Sequence, residues 1–207
     1  MTKNSVELIG WYGSDLTHAQ SAWTSTLRDL TEDKIKRIPA LLKMLADNEH
    51  YSVFEKSSLH FLVNTDIASH IHLIKHRIGV SVNGESARYK EIAEDKFYLP
   101  DDWPVEWLER LENYVNIGNG LYHDCINKLT PTLGRKRAKE TARFFKTYNS
   151  QIQADVMFNW RSFYHFQQLR NSEHAQKEIR EIAQSMLNLV KNIPENPFQH
   201  TIKAFNL

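Results

Sequence analysis

Residues 159–180, NWRSFYHFQQLRNSEHAQKEIR, combine a helical apolar rhythm with an unusual number of cations. On a wheel of ~100° per residue, Arg161, His165 and Gln168 share one face of a helix over Arg161–Arg170. Phe163, Phe166 and Arg170 share the opposite one. A guanidinium on an aromatic stripe must find a partner or a ligand, because burying it alone costs several kcal/mol. Two readings follow for Arg170. It binds a ligand, or it is a structural partner of a carboxylate such as Glu173 or Glu178.

Working outward, SEHAQKEIREIAQSMLNLVKN (172–192) continues as a second helix, and SQIQADVMFNW (150–160) alternates enough for a strand. Upstream, VELIGWY (6–12) and SSLHFLVNT (57–65) read as strands. Gly13 ends the first, and Asp15 is a candidate cap for a following helix, LTHAQSAWTSTL (16–27). KIKRIPALLKML (34–45) is helix-like, with Pro39 as a break or first-turn residue. TDIASHIHLIKHR (65–77) opens on an N-cap candidate, Thr65 or Asp66, and sets Ile67, Ile71 and Ile74 on one face. Gly79 and Gly84 predict a loop between them. Residues 101–129 predict a long helix interrupted at Gly118 and Gly120, and RKRAKETARFF (135–145) a further helix after Pro131. The expected class is α+β, a single helix-rich domain over residues 1–207 with a small β-sheet.

Composition bounds the function. The 207 residues are 41% hydrophobic and 25% charged, enough for one sizeable core. A net charge of +1 sets up no global field toward nucleic acid or membrane. The N-terminus lacks the apolar run of a signal peptide, and no stretch of ~18 apolar residues predicts a membrane span. A single cysteine, Cys125, excludes an internal disulfide and fits a reducing cytoplasm.

A second cluster of cations lies in KHRIGVSVNGESARYK (75–90), where Lys75, His76, Arg77, Ser81, Asn83, Glu85, Ser86 and Arg88 crowd together. No GxGxxG follows a strand, and no P-loop occurs. His72 and His76 have helical i, i+4 spacing, but Lys75 and Arg77 flank His76, which disfavours a cation site. RKRAK (135–139) reads as a solvated helix face. Cys125, in LYHDCINKL, has no neighbour that would activate a thiolate.

Read together, the two clusters resemble the flavin-dependent thymidylate synthases. KHRIGVSVNGESARY is similar to that family's RHRxxSxNxxSxRY signature, and residues 159–180 match its NxRSxxHFxxLRxxxHAQxEIR without a gap. HYSVFEKSSLHF (50–61) resembles its HxSxFEH approach. Lys75 stands where the family has arginine, His72 where it has glutamine, and Lys56 where it has histidine. One extra residue separates Arg77 from Ser81, and FFKT follows Arg143 in place of Leu-Pro.

The resemblance implies an enzyme that methylates dUMP to dTMP. FAD would be the cofactor, with NADPH and 5,10-methylenetetrahydrofolate as co-substrates and no cysteine nucleophile. It also implies a homotetramer with shared active sites. By position it gives Arg170 the catalytic role of polarising the uracil. It assigns His72, Lys75, Glu85, Ser86, Arg88, Arg143 and Arg170 to the nucleotide, and His50, Ser52, His76, Arg77, Asn159, Arg161 and His165 to the flavin. Two alternatives stay open. One is a related one-carbon transfer, to dCMP or with a hydroxymethyl product. The other is a non-catalytic nucleotide- or RNA-binding module.

Overall fold

In the computed structural model, which describes residues 2–86 and 88–207, strand β1 (Ser5–Tyr12) leads into α1 (Asp15–Trp23). Helices α2 (Glu32–Lys36) and α3 (Ile38–Asp47) follow, then a 3-10 turn (Tyr51–Glu55) and β2 (Ser58–Asp66). Next come α4 (Ile67–Leu73), β3 (Val80–Gly84) and the long α5 (Val105–Ala142). A short 3-10 turn (Arg143–Phe145) precedes β4 (Gln151–Phe158), and α6 (Trp160–Arg170), α7 (Lys177–Lys191) and α8 (Gln199–Ala204) close the chain. The four strands form one antiparallel sheet in the order β1-β2-β4-β3, so the class is α+β with helix dominating. Among the described residues no helix is long and apolar enough to cross a membrane.

The chain groups into two compact units. The first holds Met1–Ser5, Val63–Leu73 and Asn83–Ala154; the second holds Val6–Leu62, Ile74–Val82 and Asp155–Leu207. In the second unit, Leu59 and Phe61 of β2 and Val156 and Phe158 of β4 point inward at period 2. Phe163 of α6 stacks on Phe61 at 5.8 Å between ring centroids, and Phe166 meets Phe158 at 5.2 Å. All four rings are fully buried, each stabilising the fold by ~1.5–3 kcal/mol. On α7, Ile179, Ile182, Ala183, Met186 and Val190 repeat at 3–4 residues and are buried as one stripe. In the first unit, Val115, Tyr122 and Ile126 of α5 face inward.

Several local expectations change. Ser14, not Asp15, caps α1, its Oγ accepting the Thr17 N–H at 3.2 Å. Asp15 instead accepts the N–H groups of His200 and Thr201, both at 2.8 Å, and so caps α8. Asp66 caps α4 by accepting the Ser69 N–H. That helix ends at Leu73 and buries Ser69 and Leu73, leaving Ile74 exposed, so the isoleucine face is not its packing face. The expected loop between Gly79 and Gly84 is strand β3: Gly79 takes the left-handed turn (φ +67°), after which the chain extends. Gly118 and Gly120 do not interrupt α5; the break comes at Gly134 (φ +74°). Pro39 sits in the first turn of α3, where a missing N–H is harmless. α7 begins at Lys177 rather than Ser172.

Candidate active site

The second unit carries a cleft of about 910 Å³ built by three local pieces: the 3-10 turn, residues 75–80 and α6. The pieces are tied together at the start of α6. Asn159 caps the helix, its Oδ1 accepting the Ser162 N–H at 2.8 Å and the Ser162 hydroxyl at 2.9 Å. That hydroxyl also lies 2.7 Å from the Ile78 carbonyl, and the Asn159 N–H donates to the Gly79 carbonyl at 3.1 Å. A Cβ at Gly79 would collide with the Asn159 amide and the Ser162 hydroxyl, so only glycine lets the 78–79 turn lie against the cap.

Seven of the sequence-predicted residues line this cleft: Lys75, His76, Arg77, Asn159, Arg161, His165 and Arg170. Arg161 pairs with Glu55 at 2.6 Å and lies over the Tyr51 ring. Lys75 and Arg77 are exposed and have no ion-pair or hydrogen-bond partner among the described residues. Arg170 is half-buried and finds neither Glu173 nor Glu178. Its Nε donates to His76 Nε2 at 3.0 Å. His76 is buried, with the edge of its ring against Phe166 at 5.0 Å. Burial pushes its pKa down to about 4, and the charges of Arg170 and His165 add to the shift. A neutral His76 that accepts on Nε2 carries its proton on Nδ1, and so aims the guanidinium without neutralising it.

Sequence reasoning missed Tyr51, Glu55, Ile78, Tyr164, Gln168 and Leu169, which line the same cleft. Tyr51 and Glu55 lie inside the HYSVFEK stretch, which folds as a 3-10 turn whose two ends both reach the cleft, and its residue pattern carries no signal of that. His50 and Ser52, from the same stretch, are exposed and stand outside the lining. The i, i+4 geometry of His72 and His76 does not arise, because α4 ends between them. Among the described residues no three His, Cys, Asp or Glu side chains converge as metal ligands do.

The remaining residues belong to the first unit. His72 is half-buried on α4, with Nδ1 shielded and without a hydrogen-bond partner among the described residues. Glu85 pairs with Lys90 at 3.0 Å and lines a polar pocket of about 360 Å³ together with Lys3 and Lys96. The Ser86 hydroxyl accepts the Arg88 N–H, and Arg88 Nε donates to Glu140 at 2.9 Å, holding that carboxyl below its usual range. Arg143 is exposed at the end of α5. Cys125 is half-buried against Tyr122, Ile126 and Ala142.

The second-unit cleft therefore offers planar rings and aliphatic walls beside unneutralised cations, which suits a flat molecule carrying phosphates. Comparison with known proteins agrees with that chemistry. A flavin-dependent thymidylate synthase of Pseudothermotoga lettingae is 30% identical over 198 residues, covering 93% of this chain and 87% of that protein. One from Ehrlichia ruminantium (strain Gardel) is 27% identical, covering 92% and 68%. The crystal structure of the UMP/dUMP methylase PolB from Streptomyces cacaoi, bound with 5-Br dUMP, superposes with a TM-score of 0.79 at 26% identity, covering 100% of this chain and 96% of that one. The family described as Thymidylate synthase complementing protein matches residues 7–195, and the chain belongs to that family of enzymes.

Proposed function

We propose that this enzyme methylates carbon 5 of a uridine nucleotide, dUMP in the first instance, with a bound flavin and no cysteine nucleophile. The observation that carries the reading is the Arg170–His76 pair inside a cleft where Arg161 meets Glu55 but Lys75 and Arg77 have no partner among the described residues. A surface arginine kept for stability sits with a carboxylate; this one is aimed by a neutral base and retains its full charge.

The cleft's chemistry fits FAD. Tyr51, Tyr164, Ile78 and Leu169 provide flat and apolar contact, while Arg77, Arg161, His165 and Asn159 provide donors. Bound there, reduced flavin would supply the hydride that takes a folate-borne one-carbon unit to the methyl level, with NADPH as the source of electrons. Arg170 acts on the nucleotide. Its guanidinium stabilises negative charge at the N3–O4 side of the uracil, which makes carbon 5 the nucleophile. His76 holds the guanidinium in that orientation. Lys75 and His72 flank the nucleotide, and Ser86, Arg88 and Arg143 bind it, with Arg88 exchanging Glu140 for the phosphate. Glu85, His50 and Ser52 complete the set, and subunits of a homotetramer share the sites.

The resemblance to a UMP/dUMP methylase supports a second substrate, UMP. The test is direct. Protein reconstituted with FAD should keep a yellow absorbance through gel filtration. Supplied with NADPH and labelled methylenetetrahydrofolate, it should transfer label to dUMP, with UMP and dCMP run in parallel. Colourless protein removes the flavin, and label in dCMP alone or in a hydroxymethyl product replaces the substrate or the chemistry.

A further inference from the structure

We propose that a polar pocket beside α1, reached from the cleft along one wall of the second unit, holds the glutamyl carboxylates of the folate co-substrate. The inference rests on the flavin and folate reading above and adds where the far end of the folate is held.

Two further hollows adjoin the cleft, and all three lie in the second unit. A middle one of about 400 Å³ shares Glu55, Gly79, Val80 and Asn159 with the cleft and adds Met157. A far one of about 510 Å³ shares Glu55, Ser57 and Ser58 with the middle one. Beyond these it is lined by α1 and the segment after it, through Thr17, Gln20, Ser21, Thr24 and Arg28. The junction is fixed by the fold. Ser57 is buried, its hydroxyl 2.9 Å from Nε2 of the fully buried His18. Gly13 takes a φ of +93°, and a Cβ there would lie 2.8 Å from the Ser57 Cβ. Only glycine lets α1 begin this close to the 56–58 segment.

Charge along the path decides what can lie in it. Among the described residues the middle hollow has one charged lining residue, Glu55, which Arg161 already neutralises at 2.6 Å. The far hollow adds two cations, Arg28 and Lys56, and no further carboxylate. Neither cation has an ion-pair or hydrogen-bond partner among the described residues. An ordinary solvated surface interleaves both signs, as Lys34 with Asp29 and Lys43 with Asp47 do elsewhere in this unit. Two unpaired cations among hydroxyls and an amide instead suit an anion, and the guanidinium fork suits a carboxylate.

A ligand that follows this path has an uncharged middle and an anionic end. Folate has that order: a flat pteridine, a benzoyl amide, then two glutamyl carboxylates. NADPH does not, because its diphosphate would fall in the middle hollow, beside Glu55 and without a cation of that hollow to meet it. Lys56 stands where the family's motif has histidine, so half of the cation pair is particular to this chain.

Binding is measured by calorimetry on the full chain, with FAD and again without it. The probes are folate, pteroate (folate without its glutamate) and NADP+. Folate should bind about tenfold tighter than pteroate. Arg28→Glu and Lys56→Glu should each remove that advantage and leave NADP+ binding as in the parent. Both side chains are exposed, so neither variant should melt lower. In the parent protein, bound folate should slow acetylation of Lys56, read by mass spectrometry, and not that of the exposed Lys36. Equal binding of folate and pteroate overturns the proposal, as does folate binding indifferent to both reversals or a Lys56 that folate leaves unprotected. Variants that lose NADP+ and keep folate give the pocket to a phosphate and overturn the folate assignment. Colourless protein that still holds folate through Arg28 and Lys56 breaks the flavin reading alone. Yellow protein whose folate binding ignores both residues breaks this one alone.

Discussion

Four cations of the first unit and the cations of the second unit's cleft are held in different ways. In the first unit Arg88 is committed to Glu140, Lys90 to Glu85, Arg135 to Glu91 and Lys146 to Asp95. In the cleft of the second unit, Lys75 and Arg77 have no partner among the described residues and Arg170 leans on a neutral imidazole; Arg161, on Glu55, is the exception there. A cation paired with a carboxylate must exchange that partner before it can hold a phosphate or an electron-rich ring. A cation braced by a neutral donor–acceptor group is ready in advance. The difference separates a surface that is stable as it stands from one organised for a ligand.

The largest test of that contrast is Arg170→Ala. Product formation should fall ~10²–10³-fold, the usual effect of removing a preorganised donor, with flavin retained and little change in melting temperature. Arg170→Lys should recover only part of the rate, because a point charge cannot keep both the His76 contact and the planar fork. Arg88→Ala, freed from Glu140, should raise KM more than it lowers kcat. Unfolding or loss of flavin in Arg170→Ala would make the residue structural and end the contrast.

Gly79 tests the scaffold beneath the cations. Its φ of +67° and the collision awaiting a Cβ mean that Gly79→Ala must displace the Asn159–Ser162 cap. The expected loss is ~1–3 kcal/mol of stability, with weaker flavin retention because the 78–79 turn loosens. Denaturant melts and flavin titration on the same sample check both. Unchanged values would mean that the turn does not position the cleft.

Protonation gives a third, smaller effect. His18 is fully buried, 2.9 Å from the Ser57 hydroxyl and 3.0 Å from that of Thr201, and burial holds its pKa near 4, as it does for His76. Their folded values lie below the unfolded 6.5, so the unfolded chain takes up protons first as pH falls. Stability is complete above pH 6.5 and declines as pH drops from 6.5 toward 4. For His18 the decline by pH 5 is ~2 kcal/mol at most, and His76, at the cleft, contributes less. Denaturant unfolding at pH 7, 6 and 5 reads the slope, which His76→Gln should make shallower. A flat profile in the parent protein would show that neither imidazole is held neutral by its surroundings.

How much of this was legible in the sequence depended on whether a signal was local. The 3.6-residue period of α6 and α7 and the alternation in β2 and β4 are properties of short windows, and they set the class. The motif spacing of residues 159–180 and 75–77 likewise identified seven residues of the cleft. What escaped depended on partners distant in sequence. Asp15 caps a helix 185 residues away rather than its own. β3 forms because β4 accepts it as a neighbour, although its glycines alone suggested a loop. The wheel placed Arg170 opposite Arg161, yet both line the cleft, since Arg170 stands at the helix end and bends over His76. No helical wheel includes a residue from another segment.

The smallest effect is expected at the first unit's lone thiol. Cys125 packs beside Tyr122, Ile126 and Ala142 on the inner side of α5, as a small apolar side chain would. The nearest basic side chains on the helix are already used: Lys128 pairs with Asp124, and His123 lies 2.9 Å from Asp95. A thiolate there would have carboxylates close in sequence and no free positive charge to stabilise it. Cys125→Ala should therefore keep most of the turnover and lose ~1 kcal/mol or less of stability, the effect of a small cavity at a half-buried site. Initial rates with dUMP, alongside a denaturant melt, check both quantities. If the variant is folded, binds flavin and yet makes no product, a thiol carries the methylation and the proposed role of Arg170 falls with it. If the rate holds while Arg170→Ala collapses, activation of the uracil belongs to the charge in the cleft.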